Sequence, residues 1–155
     1  MALASELVPA FPVGQAVAKR LAESLVRHGE SFRIISRAPV GKWWENCAYK
    51  AQLILDVLKE HKQSIVWIDA DAELINKPDF SPWLFSADVA AFRQHNVRWS
   101  PGVGQQHETV CAVLMLSYNE RVIRLVEDWV RRIRDKVGST AEHEFLSDQA
   151  YFGDA

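Results

Sequence analysis

The chain has 155 residues, of which 48% are hydrophobic and 25% are charged, and its formal net charge is -2. This length suits one domain with its own hydrophobic core, and the charge balance excludes a generally basic, nucleic-acid-binding surface. No apolar run approaches about 18 residues, so the sequence predicts no transmembrane helix.

The first part of the chain alternates helical and extended patterns. Residues 1–12 contain two prolines and show no clear strand. In residues 13–28, apolar side chains recur every three or four positions, which predicts a helix that stops at Gly29. Residues 31–36 predict a short strand, and a second helix is predicted to run through His61.

A segment rich in binding side chains, K-W-W-E-N-C-A-Y-K, occupies residues 42–50 and leads into the second helix. Two interpretations of it remain open. Its tryptophans cover an edge of the sheet while Lys50 lies in solvent. Alternatively, Lys50 or Asn46 faces the same cleft as the acidic residues that follow the central strand.

The central strand lies in residues 64–71, S-I-V-W-I-D-A-D. Its four consecutive apolar residues predict a strand buried on both faces. Asp69 and Asp71 follow, and side chains two apart on an extended chain lie on the same side. Because Mg²⁺ and Mn²⁺ prefer oxygen ligands, and ligands gather at the carboxyl ends of strands, this pattern indicates a metal and a phosphorylated ligand. The alternative is a plain polar turn.

The region after the central strand is less regular. Residues 73–85 contain two prolines and predict a turn and a short helix packed on the sheet. Residues 88–92 predict another strand. Residues 93–108 are polar and predict a long loop of the kind that often binds ligands.

The last part of the chain predicts a buried strand at residues 109–116, a well-patterned helix at 119–137 and a short helix at 144–152. The early alternation of helix and strand is typical of an α/β fold with a mostly parallel sheet, whereas the adjacent late strands indicate a mixed sheet.

Other known motifs do not fit. The chain has no G-x-x-x-x-G-K-[ST] phosphate loop, no paired zinc ligands and no G-x-S-x-G elbow. Cys47 and Cys111 lack C-x-x-C spacing and the N-terminal residues show no secretory signal, so a cytoplasmic location is predicted.

The ordered segments W-x-x-N-C-A-Y-K, I-V-W-I-D-A-D-A, P-D-F and A-D-V-A resemble those of GT-A nucleotide-diphospho-sugar glycosyltransferases. The resemblance covers about residues 15–151 and includes T-V-C-A-V-L-M-L and a late D-Q pair. It implies one three-layer, Rossmann-like GT-A domain over residues 1–155, with a mixed, mostly parallel sheet. It also implies an enzyme that transfers a sugar from a nucleotide-diphosphate donor to an unidentified glycan or other acceptor.

The resemblance assigns roles to particular residues. Asp69 and Asp71 match the D-x-D that holds Mn²⁺ or Mg²⁺ against the donor diphosphate. Asp148 matches a catalytic residue that acts as general base or binds sugar hydroxyls, although a helix N-cap is the alternative for it. The residues expected to bind the donor are Asn46, Lys50, Asp69 and Gln149.

Three departures from the family pattern leave other functions open. No clear first strand is present, Cys111 and Ala112 replace a glycine-containing pair, and little sequence follows Gln149, where relatives continue. We therefore also consider a domain that lacks the first strand and the C-terminal part and binds a nucleotide or glycan without turnover. A further alternative is a haloacid-dehalogenase-type phosphatase with Asp69 as nucleophile, although Glu73 replaces the Thr or Val usual in that family.

Overall fold

The computed structural model of the chain describes residues 2–7, 12–36, 38, 46, 49–80, 87–100 and 104–137. Within these residues the elements are β1 (Ala2–Leu7), α1 (Pro12–Arg27), β2 (Phe32–Ser36), α2 (Lys50–His61), β3 (Ile65–Asp69), β4 (Val89–Ser100), β5 (Gly104–Leu116) and α3 (Glu120–Val137). The predicted helix at 144–152 and the tryptophan pair at 43 and 44 lie outside the described residues.

The five strands form one mixed sheet in the order β2-β1-β3-β5-β4. Strand β1 runs parallel to both β2 and β3, whereas β5 runs antiparallel to both β3 and β4. The α/β class and the mixed sheet are therefore confirmed. The sheet is not mostly parallel, because two of its strand pairs, β3 with β5 and β4 with β5, are antiparallel. The second of these pairs is a hairpin, whose strands are antiparallel.

Strand β1 corrects the expectation that the first strand is missing. It lies between β2 and β3 and pairs with both along its length, for example Leu3 with Phe32 and with Val66. Its sequence, A-L-A-S-E-L, has no β-branched residue. Pairing on both sides therefore outweighs a weak local preference for strand. Pro12 begins α1, a position where its missing N–H costs nothing.

One further expectation is corrected after β3. The polar residues 93–108 are not one long loop, because β4 extends to Ser100 and β5 begins at Gly104. Strands can pair through backbone hydrogen bonds without apolar side chains, so a polar sequence does not exclude a hairpin here. Residues 73–80 contain a bend and no helix, and the rest of that segment, residues 81–86, lies outside the described part of the chain, so the short helix stays a prediction.

Among the described residues, the core has one cluster on each face of the sheet. The α2–α3 cluster contains Ile65 and Trp67 of β3 with side chains of α2, α3 and β5. The α1 cluster contains Val66 and Ile68 of β3 with Leu21, Leu25 and several partly buried residues: Phe32, Ala72, Leu74, Phe80 and Met115. Alternate residues of β3 thus point to opposite clusters, which confirms that the strand is buried on both faces.

The helix ends agree with the sequence patterns. Gly29 has a φ of 71°, the left-handed conformation that commonly stops a helix, and it follows α1. Helix α3 begins one residue after Asn119, whose Oδ1 accepts the N–H of Val122 at 3.0 Å. In the described part of the chain, every helix is too short or too polar to span a bilayer.

Candidate functional site

The chain turns immediately after the central strand. Asp69 is the last residue of β3, and its carbonyl oxygen accepts the N–H of Ala72 at 3.1 Å. Ala70 and Asp71 therefore occupy a turn rather than a continued strand. The argument that Asp69 and Asp71 lie on the same side of an extended chain therefore does not hold, because Asp71 is no longer in the strand. The local geometry is that of a polar turn. Asp71 is exposed to solvent.

Within the described part of the chain, two side chains donate hydrogen bonds to the carboxylate of Asp69. The indole Nε1 of Trp67 donates to Oδ1 at 2.9 Å, and Nζ of Lys50 donates to Oδ2 at 2.9 Å. Trp67 is fully buried, while the side chains of Lys50 and Asp69 are 11% and 27% exposed. The carboxylate is thus fixed in orientation from the core side and still reaches solvent.

Lys50 is placed by the first turn of α2 and by an irregularity in β5. Its Nζ also donates to the carbonyl oxygen of Cys111 at 3.4 Å. The ladder between β4 and β5 passes from Ala91 opposite Leu114 to Phe92 opposite Val110, so β5 carries extra residues at 111–113. Such bulges are frequent beside functional sites, where they redirect part of the backbone.

Of the two interpretations of Lys50, the structure supports its position beside Asp69 and not in solvent. A buried ion pair is weak evidence for stability, because desolvation of both charges offsets their attraction. A carboxylate and an ammonium at the carboxyl end of the central strand are also the groups that a polar ligand would meet there.

The oxygen chemistry of the two aspartates fits a hard divalent cation. Within the described residues, one oxygen of Asp69 accepts a hydrogen bond from Trp67 and the other accepts one from Lys50, and a carboxylate oxygen can accept from more than one partner. Asp71 is exposed and makes no hydrogen bond or ion pair within the described residues. Those residues contain no group of three His, Cys, Asp or Glu side chains placed to hold a metal. A cation here would depend on these two carboxylates, a ligand and water, and it would meet the charge of Lys50.

Of the other predicted site residues, the structure describes Asn46 but not Asp148 or Gln149. Asn46 is half-buried and lies just before α2, where its carbonyl oxygen accepts the N–H of Tyr49 at 3.2 Å. It therefore lies four residues before Lys50, ahead of the N-terminus of α2. Asp148 and Gln149 lie outside the described residues, so their roles stay predictions.

Sequence reasoning missed two residues that shape the site. Trp67 is two positions before Asp69 on a strand, and this spacing alone predicts that their side chains share a face. Ser24 of α1 is fully buried; its Oγ donates to the carbonyl of Leu21 at 2.8 Å and accepts the N–H of Leu74 at 3.0 Å. Ser24 thereby ties the segment after Asp71 to α1.

Comparison of the chain with protein-family models finds no match, and comparison with curated proteins finds none either. Solved structures do match. A glycosyltransferase involved in the glycosylation of the major capsid of PBCV-1 superposes with a TM-score of 0.62 at 15% identity, over 96% of this chain and 71% of that chain. A197 from STIV superposes with a TM-score of 0.50 at 12% identity, over 100% of this chain and 78% of that chain.

At these identities the likeness concerns the fold. The chain therefore has a glycosyltransferase-like fold, of mixed α/β architecture, with Asp69 and Lys50 paired at the end of its central strand. Because one fold can host unrelated functions, the activity has to be argued from the site.

Proposed function

We propose that the chain is a glycosyltransferase of the GT-A type, which takes a sugar from a nucleotide-diphosphate donor. The observation that carries this proposal is the placement of Asp69. It stands at the carboxyl end of the central strand of a glycosyltransferase-like fold, held by Lys50 and Trp67 and partly open to solvent. This is where ligands bind in open α/β sheets.

The proposal gives each side chain a task. Asp69 and Asp71 hold Mn²⁺ or Mg²⁺, which when bound offsets negative charge on the departing diphosphate. Lys50 and Trp67 orient Asp69, and Lys50 adds a positive charge near the diphosphate. Asp148 serves as general base or sugar-hydroxyl ligand, and the donor is also contacted by Asn46 and Gln149.

A binding module of the same fold is the second candidate. The ion pair between Lys50 and Asp69 favours it, because the charge of Asp69 is already balanced within the chain at 2.9 Å. A phosphatase with Asp69 as nucleophile is less compatible with the structure. Both oxygens of that carboxylate accept hydrogen bonds from buried side chains, which lowers their nucleophilicity.

The test is calorimetric titration with UDP and GDP, with and without Mn²⁺. We expect one nucleotide to bind in the presence of Mn²⁺, and Asp71→Asn to weaken that binding at least about tenfold, since a charged ligand to the cation is lost. Asp135→Asn, which alters an exposed aspartate on α3, is the matched control and should bind as the wild type does.

Turnover distinguishes the two candidates. Release of free sugar from the matching nucleotide-sugar, or its transfer to an added acceptor, supports the enzyme. Binding without any release supports the module. If neither nucleotide binds with or without Mn²⁺, the glycosyltransferase proposal is wrong and only the fold remains.

A further inference from the structure

The ion pair between Lys50 and Asp69 uses a carboxylate oxygen that a metal ion would also need. Nζ of Lys50 lies 2.9 Å from Oδ2 of Asp69, a distance at which the ammonium holds that oxygen directly. Oδ1 is engaged by Trp67 at the same distance. Both oxygens of this member of the D-x-D are therefore held by donors from the chain itself.

The surroundings strengthen this competition. With the Lys50 side chain only 11% exposed, salt and water screen its charge less than they screen a surface lysine. Its contact with the carbonyl of Cys111 keeps the ammonium in place beside the carboxylate. A divalent cation that approaches Oδ2 meets a positive charge at close range, and the repulsion falls only slowly with distance.

We propose that Lys50 competes with the divalent cation for Asp69, so that the protein alone binds the metal weakly and a diphosphate is needed to hold it tightly. This inference rests on the proposed function. A diphosphate attracts both cations, and it lets the ammonium turn from the carboxylate to a phosphate oxygen while the metal takes its place. By thermodynamic linkage, the metal and the diphosphate then raise each other's affinity by the same factor.

The competition predicts a gain of metal affinity when the ammonium is removed. Lys50→Met keeps the length of the side chain and loses its charge. In calorimetric titration with MnCl₂ and no nucleotide, we expect Lys50→Met to bind Mn²⁺ about tenfold more tightly than the wild type at low ionic strength. Lys50→Arg, which keeps the charge, should bind Mn²⁺ as weakly as the wild type.

Lys59→Met is the matched control. Lys59 lies on the same helix and forms an ion pair of similar length, 2.7 Å, with Glu127. Its removal changes the net charge of the protein as Lys50→Met does, so an unchanged Mn²⁺ affinity excludes a general charge effect. In an Asp69→Asn background, Lys50→Met should give no gain, because the oxygen for which the two cations compete has become part of an amide.

A second measurement uses the wild-type protein and does not depend on the folding of a variant. NMR of the lysine ¹⁵Nζ signals reports the ammonium of Lys50 directly. Titration with UDP and diamagnetic Mg²⁺ should shift the Lys50 signal and leave that of Lys59 unchanged. An unmoved Lys50 signal at saturating Mg²⁺ and UDP overturns the proposal.

The remaining outcomes separate this inference from the proposed function. Equal or weaker Mn²⁺ binding by folded Lys50→Met overturns the competition, whereas loss of Mn²⁺-dependent UDP or GDP binding in Asp71→Asn still supports the glycosyltransferase. If neither the wild type nor Lys50→Met binds Mn²⁺, with or without nucleotide, the metal site and the competition both fail.

Discussion

The indole Nε1 of Trp67 lies 2.9 Å from Oδ1 of Asp69, so a fully buried core side chain is hydrogen-bonded to a residue of the candidate site. A buried indole N–H needs an acceptor, and an ionised carboxylate is a strong one. The same bond thus completes the core beside β3 and orients the carboxylate. Stability and ligand binding should respond together when it is removed.

Trp67→Phe should test this bond. The substitution removes the donor and leaves a smaller ring in the α2–α3 cluster, so we expect the free energy of unfolding to fall by about 2 to 4 kcal/mol. Urea denaturation measures this loss. The double variant with Asp69→Asn isolates the bond, because a coupling of about 1 kcal/mol or more should appear between the two sites. Additive effects would show that only ring volume matters.

Ser24→Ala should loosen the segment that follows the turn. The variant leaves the N–H of Leu74 without its acceptor in a partly buried position, which costs about 1 to 3 kcal/mol of unfolding free energy. Ser31→Ala, at an exposed position before β2, is the control and should change stability by less than about 0.5 kcal/mol. Equal melting temperatures for the two variants would contradict a role for Ser24 in anchoring this segment.

Asn119→Ala should destabilise the start of α3. Oδ1 of Asn119 caps the N–H of Val122 at 3.0 Å, and its Nδ2 donates to Asp88 at 2.8 Å. We expect a loss of about 1 to 2 kcal/mol in urea unfolding. Asn119→Ser keeps a capping oxygen and loses the amide donor, so it should retain much of the stability. If serine costs as much as alanine, the contact with Asp88 matters more than the cap.

Asp128 should give the protein an acid-sensitive contribution to stability. Hydrogen bonds from Arg132 and then Arg131 hold the pKa of Asp128 below its ordinary value of 3.8. Because the folded-state pKa is the lower one, the stabilisation is fully present above the ordinary value and is lost as pH falls through the lowered one.

The measurement is the urea midpoint of wild type and Asp128→Asn as a function of pH. The wild type should have the higher midpoint at neutral pH, and the difference should shrink as pH falls below 3.8. Arg132→Gln removes the larger cause of the shift and should reproduce most of the change. A difference that stays constant through the acid range would show that the arginines do not stabilise the charged form.

The strongest sequence patterns located the elements that carry the site. The apolar run of β3 predicted burial on both faces, and the periodicity of α1 and α3 predicted helices to within a residue or so. Lys50 was expected to share a cleft with Asp69 in one of two interpretations, and the structure brings the two together. These predictions succeeded because each rested on local periodicity or on the end of a buried strand.

The missed features depend on contacts between distant parts of the chain. Strand β1 is stabilised by two neighbours that its own residues do not reveal, and the β4–β5 hairpin is held by backbone pairing across a polar stretch. The contact of Ser24 with Leu74 joins residues fifty positions apart. Composition and periodicity carry no information on such pairings, because they describe each segment by itself.

The two aspartates are positioned by different core clusters, one on each face of the sheet. Asp69 is held through Trp67 and Lys50, on the α2–α3 side of the sheet, whereas the segment just after Asp71 packs through Ala72 and Leu74 into the α1 cluster. A ligand bound by both carboxylates would therefore connect the α2–α3 side of the sheet to the α1 side and restrict their relative movement. Slight movement of α1 against the sheet would then alter the span between the carboxylates while the ion pair of Asp69 stayed intact.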